Sequence, residues 1–166
     1  MEVDIEGGIK VKVDTVLKTA EVIKIPDEAD TLIIPRYAKY KNKKYKITSI
    51  CLGKNSCHIK FLTFPKDSEI ETFGKSCFYG STINKLTIPP KLNKLVEGWC
   101  AFLHDLYNIE VSPKKPNFIY YNNTYLLGKS YSYKDNFDAL YFTRHRKFSH
   151  SFSNQNFKKR FTWIHL

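Results

Sequence analysis

Cysteine and histidine carry the most reactive chemistry available to this chain, and two of their spacings approach that of metal ligands: Cys57-His58 and Cys100-x3-His104. A structural zinc site needs four such ligands in paired sets, and neither pair has a second set to complete it. Cys-His catalysis needs a thiolate, a positioned base and a cleft, and nothing in the element pattern builds the cleft. His104 falls in a turn, where it is expected at the surface. The other histidines, His145, His150 and His165, lie in an aperiodic C-terminal stretch. There is no glycine-rich phosphate loop and no His-Glu zincin pattern. No catalytic residue, metal ligand or cofactor is expected, and the chain reads as non-enzymatic.

Binding chemistry is better represented. The net charge is +11, with a pI near 9.4, which favours anionic partners. Between Arg36 and Lys46 lie six basic residues and no acid: Arg36, Lys39, Lys41, Lys43, Lys44 and Lys46. Tyr37, Tyr40 and Tyr45 interleave with them, a mixture that could stack on bases and hold phosphates or serve protein recognition. No RNA-binding signature accompanies it. Asn122-Asn123-Thr124 fits a glycosylation sequon at Asn122. The same residues sit between two strand-like runs, where two asparagines tolerating positive φ explain them as a tight hairpin turn.

These residues are positioned by a repeat. An apolar triplet, spaced as apolar, two spacers, apolar, one spacer, apolar, returns about every 24 residues. Its copies are Ala29/Leu32/Ile34, Ile59/Leu62/Phe64, Ile83/Leu86/Ile88, Leu106/Ile109/Val111 and Phe137/Leu140/Phe142, with steps of 30, 24, 23 and 31 residues between last members. Pro35, Pro65 and Pro89 follow directly, and Pro113 one residue late. A second column, Ile47/Ile50, Ile70/Phe73 and Leu92/Leu95, steps by 23 and 22. Such a period specifies a solenoid, in which each unit buries its apolar face only against its neighbours. The spacing of two places the last members of each triplet on one face of a strand, and proline ends that strand because it has no amide hydrogen to donate. Cys77 and Cys100, one period apart, are expected to stack as buried thiols on adjacent coils. A disulfide between them would need an oxidising compartment.

Taken together, the pieces resemble the BspA-type leucine-rich-repeat family of surface antigens. Tyr45-Lys46-Ile47-Thr48-Ser49-Ile50, after the polar turn Lys41–Lys44, is similar to that family's opening loop and first coil. Leu32-Ile33-Ile34-Pro35 and Leu86-Thr87-Ile88-Pro89 are similar to its strand and proline. Phe73-Gly74 with Cys77-Phe78, and Glu97-Gly98-Trp99-Cys100, resemble its turns, and the block from Asn117-Phe118 to Gly128-Lys129 resembles a variant of them. The resemblance spans roughly residues 9 to 143. It implies a β-rich repeat solenoid, a short right-handed leucine-rich-repeat domain with strands on one face, turns or 3₁₀ segments on the other and an inserted β-hairpin. It also implies adhesion or protein recognition at a cell surface, with a protein or extracellular-matrix ligand.

The expected organisation is a repeat domain over 1–142, with about five coils and an N-terminal cap within 1–28, followed by a basic aperiodic tail over 143–166. The 42% hydrophobic and 15% aromatic content suits a packed core. No apolar run approaches membrane-spanning length, and the acidic, mixed opening does not read as a secretory signal. Partner contact is expected on outward strand positions Phe61, Thr63, Lys85, Thr87, Asn108 and Glu110. The alternative is nucleic-acid or anionic-polymer binding through the Arg36–Lys46 patch and the basic tail, weak and non-specific toward nucleic acid, or a degenerate family member with no retained function.

Overall fold

The computed structural model describes residues 1–53, 57–112, 117–131 and 135–144. The described part is a β-solenoid of strands and turns, with no helix among the described residues. Of the basic tail expected over 143–166, Thr143 belongs to a strand and the residues beyond Arg144 lie outside the described ones.

The triplets build the first face. Strands β4 (Glu28–Ile33), β7 (His58–Thr63), β9 (Lys85–Ile88) and β11 (Asn108–Val111) form a four-stranded parallel sheet in the order β11-β9-β7-β4. Leu32 pairs with Leu62, Leu62 with Leu86, and Leu86 with Ile109, so the middle member of each triplet stacks on the next. All four are buried. Period-2 alternation turns the intervening residues outward.

The second apolar column builds the opposite face. Strands β6 (Lys43–Ile50), β8 (Thr72–Phe73) and β10 (Lys94–Leu95) pair in parallel, Ile50 opposite Phe73 and Phe73 opposite Leu95. Strands therefore occupy two sides of the coil rather than one. This sheet is extended by β1 (Glu2–Ile5), β2 (Ile9–Asp14) and β3 (Thr19–Lys24), an antiparallel run that joins β6 through a parallel β3–β6 pairing. The residues from Arg36 to Lys46 are not an open loop. Strand β5 (Tyr37–Tyr40) pairs antiparallel with β6, and Lys41 and Asn42 make the turn at φ of 45° and 60°. Between the two sheets lies one core, with Ile34, Ile47, Ile59, Ile70, Phe73, Phe78, Ile83 and Leu86 fully buried.

Two expectations of register are corrected. Phe137, Leu140 and Phe142 do not form a fifth coil. They belong to, or flank, β14 (Ala139–Thr143), which pairs antiparallel with β13 (Tyr125–Gly128), itself antiparallel to β12 (Phe118–Tyr121). The inserted hairpin is thus two strands of a three-stranded sheet at the end of the solenoid. Leu140 is exposed, while Phe142 packs its ring 6.4 Å from that of Trp99. With parallel rungs ended at β11, this antiparallel sheet covers apolar surface that a further coil would otherwise cover. Its turn does match expectation: Asn122 and Asn123 take φ of 50° and 49°, and Thr124 N–H donates to Tyr121 O at 3.1 Å.

The second correction concerns Cys77 and Cys100. Phe78 N–H donates to Trp99 O and Gly80 N–H to Ala101 O, so the turns align at a step of 22 rather than 23. Trp99 is therefore level with Cys77, and Cys100 with Phe78. The missing residue is restored after the turn, before Leu106, so that β11 meets β9 at a step of 23. The shift has a second mark. Ser76 and Gly98 share positive φ (53° and 72°), as do Gly80 and Phe102 (61° and 60°), each pair 22 apart. All four cysteines are free thiols.

Candidate functional site

Every strand position expected to face a partner lies on the outer side of the parallel sheet. Thr31, Phe61, Lys85 and Asn108 form one cross-strand row, and Ile33 with Thr63, and Thr87 with Glu110, continue the next. Phe61, Thr63, Lys85, Thr87 and Asn108 are half-buried, and Glu110 is exposed. Lys85 Nζ reaches Glu110 Oε1 at 2.7 Å, diagonally across β9 and β11. At the other edge Lys60 Nζ pairs with Asp30 Oδ1 at 2.7 Å, and Lys60 holds Asp30 below the usual carboxylate range through that contact. Ion pairs this exposed add little stability. The Lys85–Glu110 pair marks one edge of the face, with Phe61 and threonines beside it.

Ile33 belongs to this face and was not legible in the sequence. It is 59% exposed, beside Thr63 on the first strand of the sheet. The run Leu32-Ile33-Ile34 is apolar throughout, so no alternation marks its middle residue as outward. Only the burial of Leu32 and Ile34 on either side reveals it.

The Arg36–Lys46 patch is split by the fold. Arg36 is committed to acids of the next coil: Nη1 meets Asp67 Oδ2 at 2.6 Å, and Nε and Nη2 both donate to Glu69 Oε1. Lys91, one coil further on, donates to Glu69 Oε2 at 2.6 Å. Glu69 is 3% exposed, and a buried carboxylate is tolerated because both oxygens accept charge-assisted hydrogen bonds. Lys91 and then Arg36 hold its pKa below the ordinary value against the opposing effect of burial. Arg36 is thus a structural clamp between coils rather than an anion ligand.

Lys39, Lys41, Lys43, Lys44 and Lys46 are exposed and make no ion pair among the described residues. Lys39 stands directly opposite Lys44, an arrangement that costs stability unless an anion is near. The tyrosines do not offer open stacking faces. Arg36 and Lys44 lie over the Tyr37 ring at 4.9 and 5.9 Å, Lys41 over Tyr40 at 5.4 Å, and Tyr45 is buried.

The thiols and histidines do not assemble. Among the described residues no group of three or more Cys, His, Asp or Glu is placed to hold a metal. Burial pushes Cys57 and Cys77 up, and Cys100 up to about 12, the direction opposite to that of a reactive thiol. His58 and His104 are exposed, and His104 meets the ring of Phe102 at 6.0 Å. No described helix is long and apolar enough to cross a membrane.

No family profile matches the chain, and no curated protein matches it. Solved structures similar to it include a leucine-rich repeat protein from Bacteroides capillosus, at 15% identity and a TM-score of 0.43, over 67% of this chain and 65% of that one. The pneumococcal vaccine antigen PcpA is similar at 16% identity and a TM-score of 0.46, over 70% of this chain and 39% of PcpA. A leucine-rich cell surface protein from Faecalibacterium prausnitzii is similar at 12% identity and a TM-score of 0.32, over 78% of this chain and 59% of that one. The chain thus spans less than two thirds of the length of each.

Proposed function

We propose that this chain is a non-enzymatic recognition module of leucine-rich-repeat type that binds a protein or extracellular-matrix ligand through the outer side of its parallel sheet. The observation that carries the reading is the in-register face of β4, β7, β9 and β11, on which Ile33, Phe61, Thr63, Lys85, Thr87, Asn108 and Glu110 stand together, half-buried or exposed. Phe61 and Ile33 supply apolar contact area on this face, and aromatic residues are enriched in protein interfaces. The core triplets hold that face rigid and take no part in contact. The sequence resemblance to BspA-type surface antigens supports placement at a cell surface. Nucleic-acid binding is the weaker reading, because the tyrosines that would stack on bases are faced by cations or buried.

The test has two arms. Antibody labelling of intact, unpermeabilised cells should stain the protein. Purified protein should bind at least one member of a panel of extracellular-matrix proteins, and Phe61→Asp combined with Glu110→Lys should abolish that binding without lowering the unfolding midpoint by more than a few degrees. Labelling only after permeabilisation, or binding indifferent to the double variant, would remove the proposal.

A further inference from the structure

One end of the seven-stranded sheet carries a combination that the recognition face does not use. Val16 and Leu17 form the tip of the β2–β3 hairpin and are 87% and 71% exposed. They are not frayed. Asp14 Oδ1 accepts the N–H groups of both residues at 2.9 Å, which fixes the tip with its two aliphatic side chains outward. A single exposed aliphatic needs no explanation. Two adjacent ones, held at the apex of a pinned turn, expose apolar surface that nothing among the described residues buries.

The same end carries more lysines than acids. Strands β3 and β6 are parallel, with Thr19 opposite Lys46, and Lys46 N–H donates to Lys18 O at 3.1 Å. Because each hairpin turn precedes its parallel strand, the Val16-Leu17 tip and the Lys41-Asn42 tip project from the same end. Lys18 beside the first tip, and Lys41, Lys43, Lys44 and Lys46 in the second tip and its strand, therefore lie toward the same end of the sheet as the aliphatic pair, with Asp14 the acid of that turn. These lysines are all exposed, and none has an ion pair among the described residues. The fold also retains the directly opposed Lys39 and Lys44, a like-charge pair whose cost a nearby anion would relieve.

We infer that this end of the sheet docks on an anionic lipid surface, with Val16 and Leu17 inserted at the headgroup–acyl boundary and the lysines of that end against the headgroups. Charge complementarity alone would suit any polyanion. The aliphatic tip decides among them, because a sulfated glycan or a nucleic acid offers no apolar phase in which to bury it, whereas a bilayer interface does. The parallel sheet with its recognition face belongs to a different side of the coil, so docking at the hairpin end leaves that face available. The inference does not depend on the recognition reading.

The test is co-sedimentation of the full chain with phosphatidylcholine vesicles, with and without phosphatidylserine. Binding should require phosphatidylserine and weaken with added salt. Val16→Ser combined with Leu17→Ser should weaken it at least about tenfold, the scale expected for two aliphatic side chains at an interface. Lys41→Ala, Lys43→Ala and Lys44→Ala together should weaken it about 100-fold, at about fivefold per lysine near an anionic surface. Both variants replace exposed residues and should not lower the parental unfolding midpoint. Absence of vesicle binding would overturn the inference. So would binding that ignores the Val16/Leu17 change, and so would tighter binding to heparin or single-stranded DNA than to the anionic vesicles.

Discussion

Replacing Glu69 with glutamine should expose how the coils are tied together, and its cost can be worked from the contacts. Glu69 is 3% exposed and receives Arg36 from the preceding coil and Lys91 from the following one. Hydrogen bonds to charged groups contribute about 1.5–3 kcal/mol each. Glutamine keeps one acceptor oxygen for one of the cations. Arg36 retains Asp67 at 2.6 Å, and the half-exposed Lys91 regains water. The net loss should therefore be about 2 kcal/mol, below the ~3–5 kcal/mol for stranding a fully buried charge. The effect must also depend on pH. The folded-state pKa of Glu69 lies below its ordinary value near 4.5, because Lys91 and Arg36 favour the carboxylate. A depressed folded pKa contributes stability that is present above the unfolded value and is lost as pH falls through the folded one. Urea denaturation of parent and Glu69→Gln at a series of pH values should show the full difference near neutrality and convergence in acid. A difference that stays constant down to strongly acidic pH, or one under about 0.5 kcal/mol at neutrality, would refute the clamp.

Leu86→Ala should cost about 2–5 kcal/mol in the same assay, since Leu86 is 0% exposed and stacked between Leu62 and Ile109; a loss under roughly 0.5 kcal/mol would place it at the surface. Gly128→Ala should destabilise by about 1–3 kcal/mol through overpacking, because an added Cβ would lie 2.6 Å from the Tyr141 ring and 2.7 Å from that of Phe118; an unchanged thermal midpoint would mean the antiparallel sheet is packed otherwise. Phe102→Gly should stay within about 1 kcal/mol of the parent, since relief of its left-handed backbone offsets lost contact with Tyr79, which its ring meets at 5.0 Å. A loss of ~3 kcal/mol or more, the scale of a buried phenylalanine, would show that Phe102 is part of the core.

What the sequence made legible follows from how local each determinant is. The triplets and the second column are spacing signals, and both became parallel ladders. The Asn122-Asn123 turn is a backbone signal carried by two residues. Other features depend on what the chain meets after folding. Phe137/Leu140/Phe142 satisfies the triplet spacing, but its strand found an antiparallel partner in Tyr125–Gly128, which spacing does not encode. The step of 22 between turns depends on where one residue is accommodated within a coil. Arg36 reads as part of a basic run until Asp67 and Glu69 arrive from the next coil. Lys18 gains its place beside Lys46 only through the β3–β6 pairing.

The recognition face rests on a claim that neighbouring residues in one strand have opposite roles, and Leu32 with Ile33 tests it most directly. Leu32 is 6% exposed and Ile33 59%. Leu32→Ala and Ile33→Asp should each be assayed for unfolding free energy and for affinity toward the matrix protein bound most tightly by the parent. Leu32→Ala should cost about 2–5 kcal/mol of stability and leave the affinity of the folded protein unchanged. Ile33→Asp should change stability by less than about 0.5 kcal/mol and weaken binding at least about tenfold. Binding untouched by Ile33→Asp, or an Ile33→Asp protein as destabilised as Leu32→Ala, would contradict the assignment of the outer sheet face to partner contact.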